Sequence, residues 1–245
     1  MKFVRVTKDV RLKREAAAMR RLRHENVCVC HGYHLWADRS LGCILLEKLL
    51  GGTLACHIAP GSGTALCERE VLDMTAQVLG ALGAMHQDSA RLVHRDVKPG
   101  NIMATQPREP GARAVRTHWK LIDFGTAVAA PRAEGGAAQV SSTLETCSNS
   151  WSKMQGTLPY MAPEVLKHSE TIDHRVDLWG LGVTVFQCFS GALPFAPGAR
   201  SEGEIWRARR ALPAPPIASA QLLDRSSCQS LPGSALARFW SSGVR

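Results

Sequence analysis

Apolar residues alternate with polar ones at the start of this chain and fall into helical spacing further along. Residues 2–7 alternate as a half-buried strand does, and Arg11 to Arg23 then sets Ala16, Met19 and Leu22 at helical intervals, with basic residues on the other faces. His24-Glu25-Asn26 breaks that pattern. Val27 to Trp36 and Gly42 to Leu50 are predicted strands, the second running into Gly51-Gly52. Cys67 to Gln87 carries the strongest helical stripe, formed by Val71, Met74, Val78, Leu82 and Met85. Trp119, Leu121 and Ile122 suit a short buried strand, and an apolar helix starting near Asp177 contains Thr184 to Phe189. Gln106 to His118 is rich in Pro, Gly and Arg and is expected to be a surface insertion, while Ala129 to Gln155 has little periodicity. Past Pro194 the pattern loosens, and within Pro213 to Arg245 only Ala235 to Trp240 suggests a helix. Strands first and helices later predict an α+β class, with a small β-rich lobe followed by a larger helical one.

Composition narrows this only a little. The 245 residues, 45% hydrophobic and 21% charged, can bury a sizeable core. No apolar run reaches the roughly 18–20 residues that span a bilayer, because Glu47 and Lys48 interrupt the Leu41–Leu54 stretch. The first residues, MKFVRVTKDV, do not resemble a secretory signal. The eight cysteines include one C-x-C (Cys28, Cys30) and no C-x-x-C, which points to reduced thiols and a cytoplasmic or otherwise intracellular setting. The formal charge of +9 is not concentrated with aromatics on one face, so neither nucleic acid nor membrane is an expected partner. Its densest cluster, Lys8 to Arg23, offers a surface for an acidic docking partner.

The chemistry lies in two segments. His94-Arg95-Asp96-Val97-Lys98-Pro99-Gly100-Asn101 is followed, 22 positions after Asn101, by Asp123-Phe124-Gly125. Separately these are polar turn residues. Together they supply a carboxylate that can orient an acceptor hydroxyl, and a lysine two residues on that can reach a moving phosphate. They also supply an amide and a second carboxylate that can each hold Mg²⁺. Downstream lie Gly156-Thr157-Leu158-Pro159-Tyr160-Met161-Ala162-Pro163-Glu164 and Asp177-Leu178-Trp179-Gly180-Leu181-Gly182. This combination resembles the eukaryotic protein kinases, and Lys98 with Thr157 resembles their Ser/Thr branch.

The resemblance implies a bilobal kinase-like fold and a Ser/Thr protein kinase that transfers the γ-phosphoryl group of ATP to a protein hydroxyl, with ATP and Mg²⁺ as cofactors. It makes Asp96 and Lys98 catalytic, Asn101 and Asp123 metal-binding, and Thr157 part of the substrate platform. Glu15 would pair with an ATP-positioning lysine on the preceding strand, for which Lys2 fits better than Lys8. Leu46 would stand at the mouth of the back pocket, the backbones of Glu47 and Leu49 would meet adenine, and Met103 would pack beneath it. Cys30, Met19, Phe124 and His94 would stack as an apolar column, and Asp177 would tie down the catalytic-loop backbone. Arg95 suggests a phosphate partner in the activation segment, where nearness to Gly156 singles out Ser150 and Ser152.

The expected organisation is a partial N-lobe over 1–47, a C-lobe over 48–200, and a degenerate C-lobe end or tail over 201–245. No glycine-rich loop precedes Lys2, and the last helices of the family are not recognisable. Neither is the arginine that pairs with Glu164, for which Arg225 and Arg238 are the candidates. The alternative reading is therefore a non-catalytic kinase-like scaffold.

Overall fold

The computed structural model of this chain describes residues 2–5, 9–36, 41–63, 66–87, 89–107, 116–129, 156–166 and 173–195, with 203–205 and 207. Strand β1 (Lys2–Arg5) leads to helix α1 (Asp9–Arg21), then strands β2 (Cys30–Trp36) and β3 (Leu41–Leu46). The three strands form an antiparallel sheet in the order β1-β3-β2. Helix α1 lies on this sheet. Its Leu12 is buried with Ile44 beside Cys30, Leu35 and Leu46, while Ala18, Met19 and Leu22 reach into the main core.

The rest is mostly helical. Short helix α2 (Leu54–Ile58) precedes the long α3 (Glu68–His86), whose first turn is closed where Glu70 accepts the Cys67 N–H at 2.8 Å. All five residues of the predicted stripe on α3 are buried. Strand β4 (Leu92–Val93) pairs with β7 (Val128–Ala129), and β5 (Ile102–Ala104) pairs with β6 (Trp119–Leu121). After these come α4 (Pro163–Leu166) and α5 (Arg175–Ser190). Helix α5 is buried from Gly180 through Val185, as a helix at the centre of a lobe must be. The main core runs without a break from Met19 and Val27 through Leu121 and Phe124 to Leu181 and Val185, so the two lobes share it.

Two predicted strands end differently from their hydrophobic patterns. The strand expected from Val27 begins only at Cys30, because Cys28 N–H bonds the Leu121 carbonyl at 3.0 Å and Leu121 N–H bonds the Asn26 carbonyl at 2.8 Å. That stretch is committed to β6, across the lobe boundary. Likewise the strand expected to run to Leu50 stops at Leu46, since the N–H groups of Leu50 and Gly51 go to the carbonyls of Thr105 and Ala104. Periodicity marks apolar positions, not the partner of each N–H.

A buried polar network pins the same junction. Asn26 Nδ2 donates to Gln77 Oε1 (2.9 Å) and to the Trp119 carbonyl (2.8 Å), and Trp119 N–H donates to the same Gln77 oxygen at 2.8 Å. Three elements are thereby fixed together: the turn after α1, the middle of α3, and β6 leading to Asp123.

Candidate active site

Strand β4 delivers the chain into a loop, His94 to Asn101, whose shape is imposed from beneath. Asp177, 1% exposed at the start of α5, accepts the backbone N–H of His94 (2.8 Å), the N–H of Arg95 (2.7 Å) and His86 Nε2–H (2.8 Å). Arg95 is thereby held at φ 67°, a left-handed conformation that a non-glycine residue keeps only when its surroundings impose it. Gly180, one turn further along α5, makes room for the loop: a Cβ there would lie 2.7 Å from the Val97 carbonyl oxygen.

Inside the loop, His94 is fully buried. Its Nε2–H donates to the Ile122 carbonyl (3.1 Å), so its Nδ1 is free to accept the Asp96 N–H (3.3 Å), which fixes the tautomer. The carboxylate of Asp96 then gathers three donors. Lys98 Nζ (2.7 Å) and Asn101 Nδ2 (2.9 Å) bond its Oδ2, and Thr157 Oγ1–H bonds its Oδ1 at 2.8 Å. Lys98 Nζ also donates to Thr157 Oγ1, closing a ring of three side chains. Asn101 Nδ2 further bonds the Asp96 carbonyl (2.8 Å), so the Asn101 atom left for a cation is Oδ1, a hard oxygen suited to Mg²⁺.

The second acidic segment follows β6. Asp123 has φ 62°, and Gly125 N–H donates to its Oδ1 at 3.2 Å. A Cβ on Gly125 would lie 3.2 Å from that oxygen and 3.4 Å from Glu15 Oε2. Helix α1 therefore brings its buried Glu15 carboxylate to this turn. Phe124 points the other way, edge-on to His94 at 5.0 Å between ring centres, and is buried in one core with Met19, against which Cys30 packs. Of the expected apolar column, His94 and Phe124 meet ring to ring, while Met19 and Cys30 are tied to Phe124 only through the shared core. Arg95 donates from Nε to the Thr126 carbonyl at 2.8 Å, and burial pulls its guanidinium below its ordinary value while Asp177 opposes the shift.

The connection between β3 and α2 carries Glu47 and Leu49. Glu47 N–H bonds the Val29 carbonyl at 3.0 Å, and among the described residues the Glu47 carbonyl and the Leu49 N–H engage no other backbone group. Met103 on β5 faces this connection through a bridge to Thr53. Lys2 stands opposite Ile44 in the β1–β3 register, two residues before Leu46; its side chain, like Lys8, lies outside the described residues. Ser150, Ser152, Arg225 and Arg238 also lie outside them.

Sequence reasoning missed two groups here, His86 beneath the loop and Lys120 on β6. Lys120, 8% exposed on β6, donates to Glu47 Oε1 at 2.7 Å, and the same oxygen accepts Val29 N–H at 2.6 Å. The signal was a lysine flanked by Trp119 and Leu121 in an otherwise apolar strand, since a buried lysine needs an anion.

The protein kinase domain model matches residues 1–224. Among curated relatives, human ribosomal protein S6 kinase alpha-4 is 34% identical over 196 residues, 80% of this chain and 22% of that protein. Serine/threonine-protein kinase pkn3 of Myxococcus xanthus is 35% identical over 185 residues, 76% of this chain and 30% of that protein. Human death-associated protein kinase 2 is 28% identical over 191 residues, 78% of this chain and 44% of that protein. The chain thus spans less than half the length of these relatives. A match along nearly the whole chain, over a site in which Asp96, Lys98, Asn101 and Thr157 already meet, leads to one conclusion: the chain belongs to the protein kinase family, and its relatives there are serine/threonine kinases.

Proposed function

We propose that this chain transfers the γ-phosphoryl group of Mg²⁺-ATP to a serine or threonine hydroxyl of a protein. The observation that carries this reading is the Asp96 carboxylate, held by Lys98, Asn101 and Thr157 and partly open to solvent. Asp96 accepts the hydrogen bond of the incoming hydroxyl and takes its proton late, as that oxygen bonds the γ-phosphorus and the bond to the leaving oxygen breaks. Lys98 neutralises charge on the moving group, and Thr157 holds both in register. Asn101 Oδ1 and the Asp123 carboxylate fit Mg²⁺, which would offset the phosphate charge. The Glu47 carbonyl and Leu49 N–H would receive adenine above Met103, and Lys2, paired with Glu15, would hold the inner phosphates.

The test is incorporation of label from γ-labelled Mg²⁺-ATP into a mixed protein substrate. Label on serine or threonine with the native chain, and none with Asp96→Asn, supports the reading; equal label in both would sink it.

Regulation and docking belong to the same proposal. A phosphate on Ser150 or Ser152 would complement Arg95, and phosphopeptide mapping of active protein that finds both bare would remove that switch. Lys13, Arg20, Arg21 and Arg23 are exposed along and just beyond α1 and suit an acidic docking partner. Binding of a polyglutamate peptide that ignores ionic strength would exclude it.

A further inference from the structure

His57 on α2 is 5% exposed, and its two ring nitrogens fare very differently. Nε2–H donates to the Gly51 carbonyl at 2.6 Å; because a carbonyl only accepts, the proton sits on Nε2. Nδ1 is buried and, among the described residues, has no hydrogen-bond partner. The ring stands edge-on to Trp119 at 5.3 Å, a place that an apolar side chain could fill. An unpaired buried nitrogen costs about 1–3 kcal/mol, so packing alone does not explain a histidine here. What it adds over leucine or phenylalanine is one donor, aimed at Gly51.

Gly51 lies two residues after Leu49 and is clamped on every side. Its N–H bonds the Ala104 carbonyl (3.0 Å), Ala104 N–H bonds the Gly52 carbonyl (2.9 Å), and a Cβ on Gly51 would fall 2.2 Å from the Gln106 carbonyl oxygen. The clamp joins the end of the adenine-facing connection to β5, which carries Met103. His57 closes it from the α2 side, and Ser62 Oγ–H holds the His57 carbonyl in turn at 2.9 Å.

We propose that His57 is a positioning residue for the nucleotide: its Nε2–H fixes the Gly51 carbonyl, and thereby the spacing between the Glu47–Leu49 connection and Met103. The inference rests on that connection receiving adenine. It assigns the orphaned Nδ1 as a stability cost retained for binding geometry.

The experiment uses the 245-residue chain with His57→Leu, His57→Phe and His57→Gln, because Gln Nε2 can reproduce the donor. Mg²⁺-ATP affinity is read by calorimetry and stability by thermal denaturation. The apolar variants are expected to lose about tenfold in affinity with an equal or higher melting temperature, and His57→Gln to stay within about twofold of the native chain. Native affinity in His57→Leu or His57→Phe overturns the proposal. So does parallel loss of stability and binding in all three variants, or failure of both apolar variants to fold while His57→Gln folds. A native chain that binds no Mg²⁺-ATP, though binding Mg²⁺-tripolyphosphate, overturns the adenine reading and this inference with it.

Discussion

The Thr157 hydroxyl donates to Asp96 Oδ1 and accepts from Lys98 Nζ, so one oxygen spaces the two groups that must act together. Its partners lie 61 and 59 residues earlier, so Thr157 adds a bond made across the fold to the direct Lys98–Asp96 contact of 2.7 Å. Thr157→Ala should lower kcat about tenfold to a hundredfold with little change in KM for ATP, since misplacement at a reacting centre is costly. Thr157→Ser, which keeps the hydroxyl, should recover most of the rate. Steady-state kinetics against ATP at saturating protein substrate distinguishes the two.

Asp96 and Asp123 should fail in different ways. Asp96→Asn removes the proton acceptor, and a rate loss of about 10²–10⁴-fold is expected with Mg²⁺-ATP affinity nearly unchanged. Asp123→Asn removes a hard anionic ligand and should weaken Mg²⁺-ATP binding as well. Paired calorimetric titrations that show equal loss of affinity would contradict this division.

The Glu47–Lys120 pair links the connection after β3, proposed above to receive adenine, to the strand that leads to Asp123. The Lys120 side chain is 10% exposed and that of Glu47 23%, so removing one partner leaves a charge in a poorly solvated place. Lys120→Met should cost about 2–3 kcal/mol in urea denaturation, and Glu47→Gln in the Lys120→Met background should recover part of it. Strictly additive losses would mean that the pair is not coupled.

Burial pushes the Tyr160 hydroxyl from 10.0 up to about 12, and its O–H donates to Gln187 Oε1 at 2.7 Å. The folded chain therefore holds a proton that the unfolded chain releases near pH 10, and this contribution to stability is complete below that pH. It is lost as pH rises from 10 toward 12. Tyr160→Phe should cost about 1 kcal/mol near neutrality and show a shallower decline over the alkaline window. Urea midpoints measured for both proteins at about pH 8 and about pH 11 give the comparison.

The side chains proposed to do chemistry were legible because their types and spacing match what the proposed reaction requires. Asp96, Lys98, Asn101, Asp123 and Thr157 could each be nominated from sequence, and the stripe on α3 followed from periodicity. The anchoring groups were not legible in this way. His57, His86 and Lys120 act through single hydrogen bonds to Gly51, Asp177 and Glu47, and such pairs leave no local pattern. The ends of β2 and β3 were lost for a related reason: residues near 28 and 50 bond across the lobe boundary, which an apolar period cannot reveal.

Asp177 carries one more consequence. The proposed reactive side chains from Asp96 to Asp123 precede it in sequence, yet the backbone of His94 and Arg95 takes its form from this single later carboxylate. A proteolytic fragment ending between residues 130 and 170 would keep those groups and lose the template on which their loop is cast. The competence of this loop is therefore a property of an assembled interior, gained only when a helix from the far end of the described chain has docked beneath it.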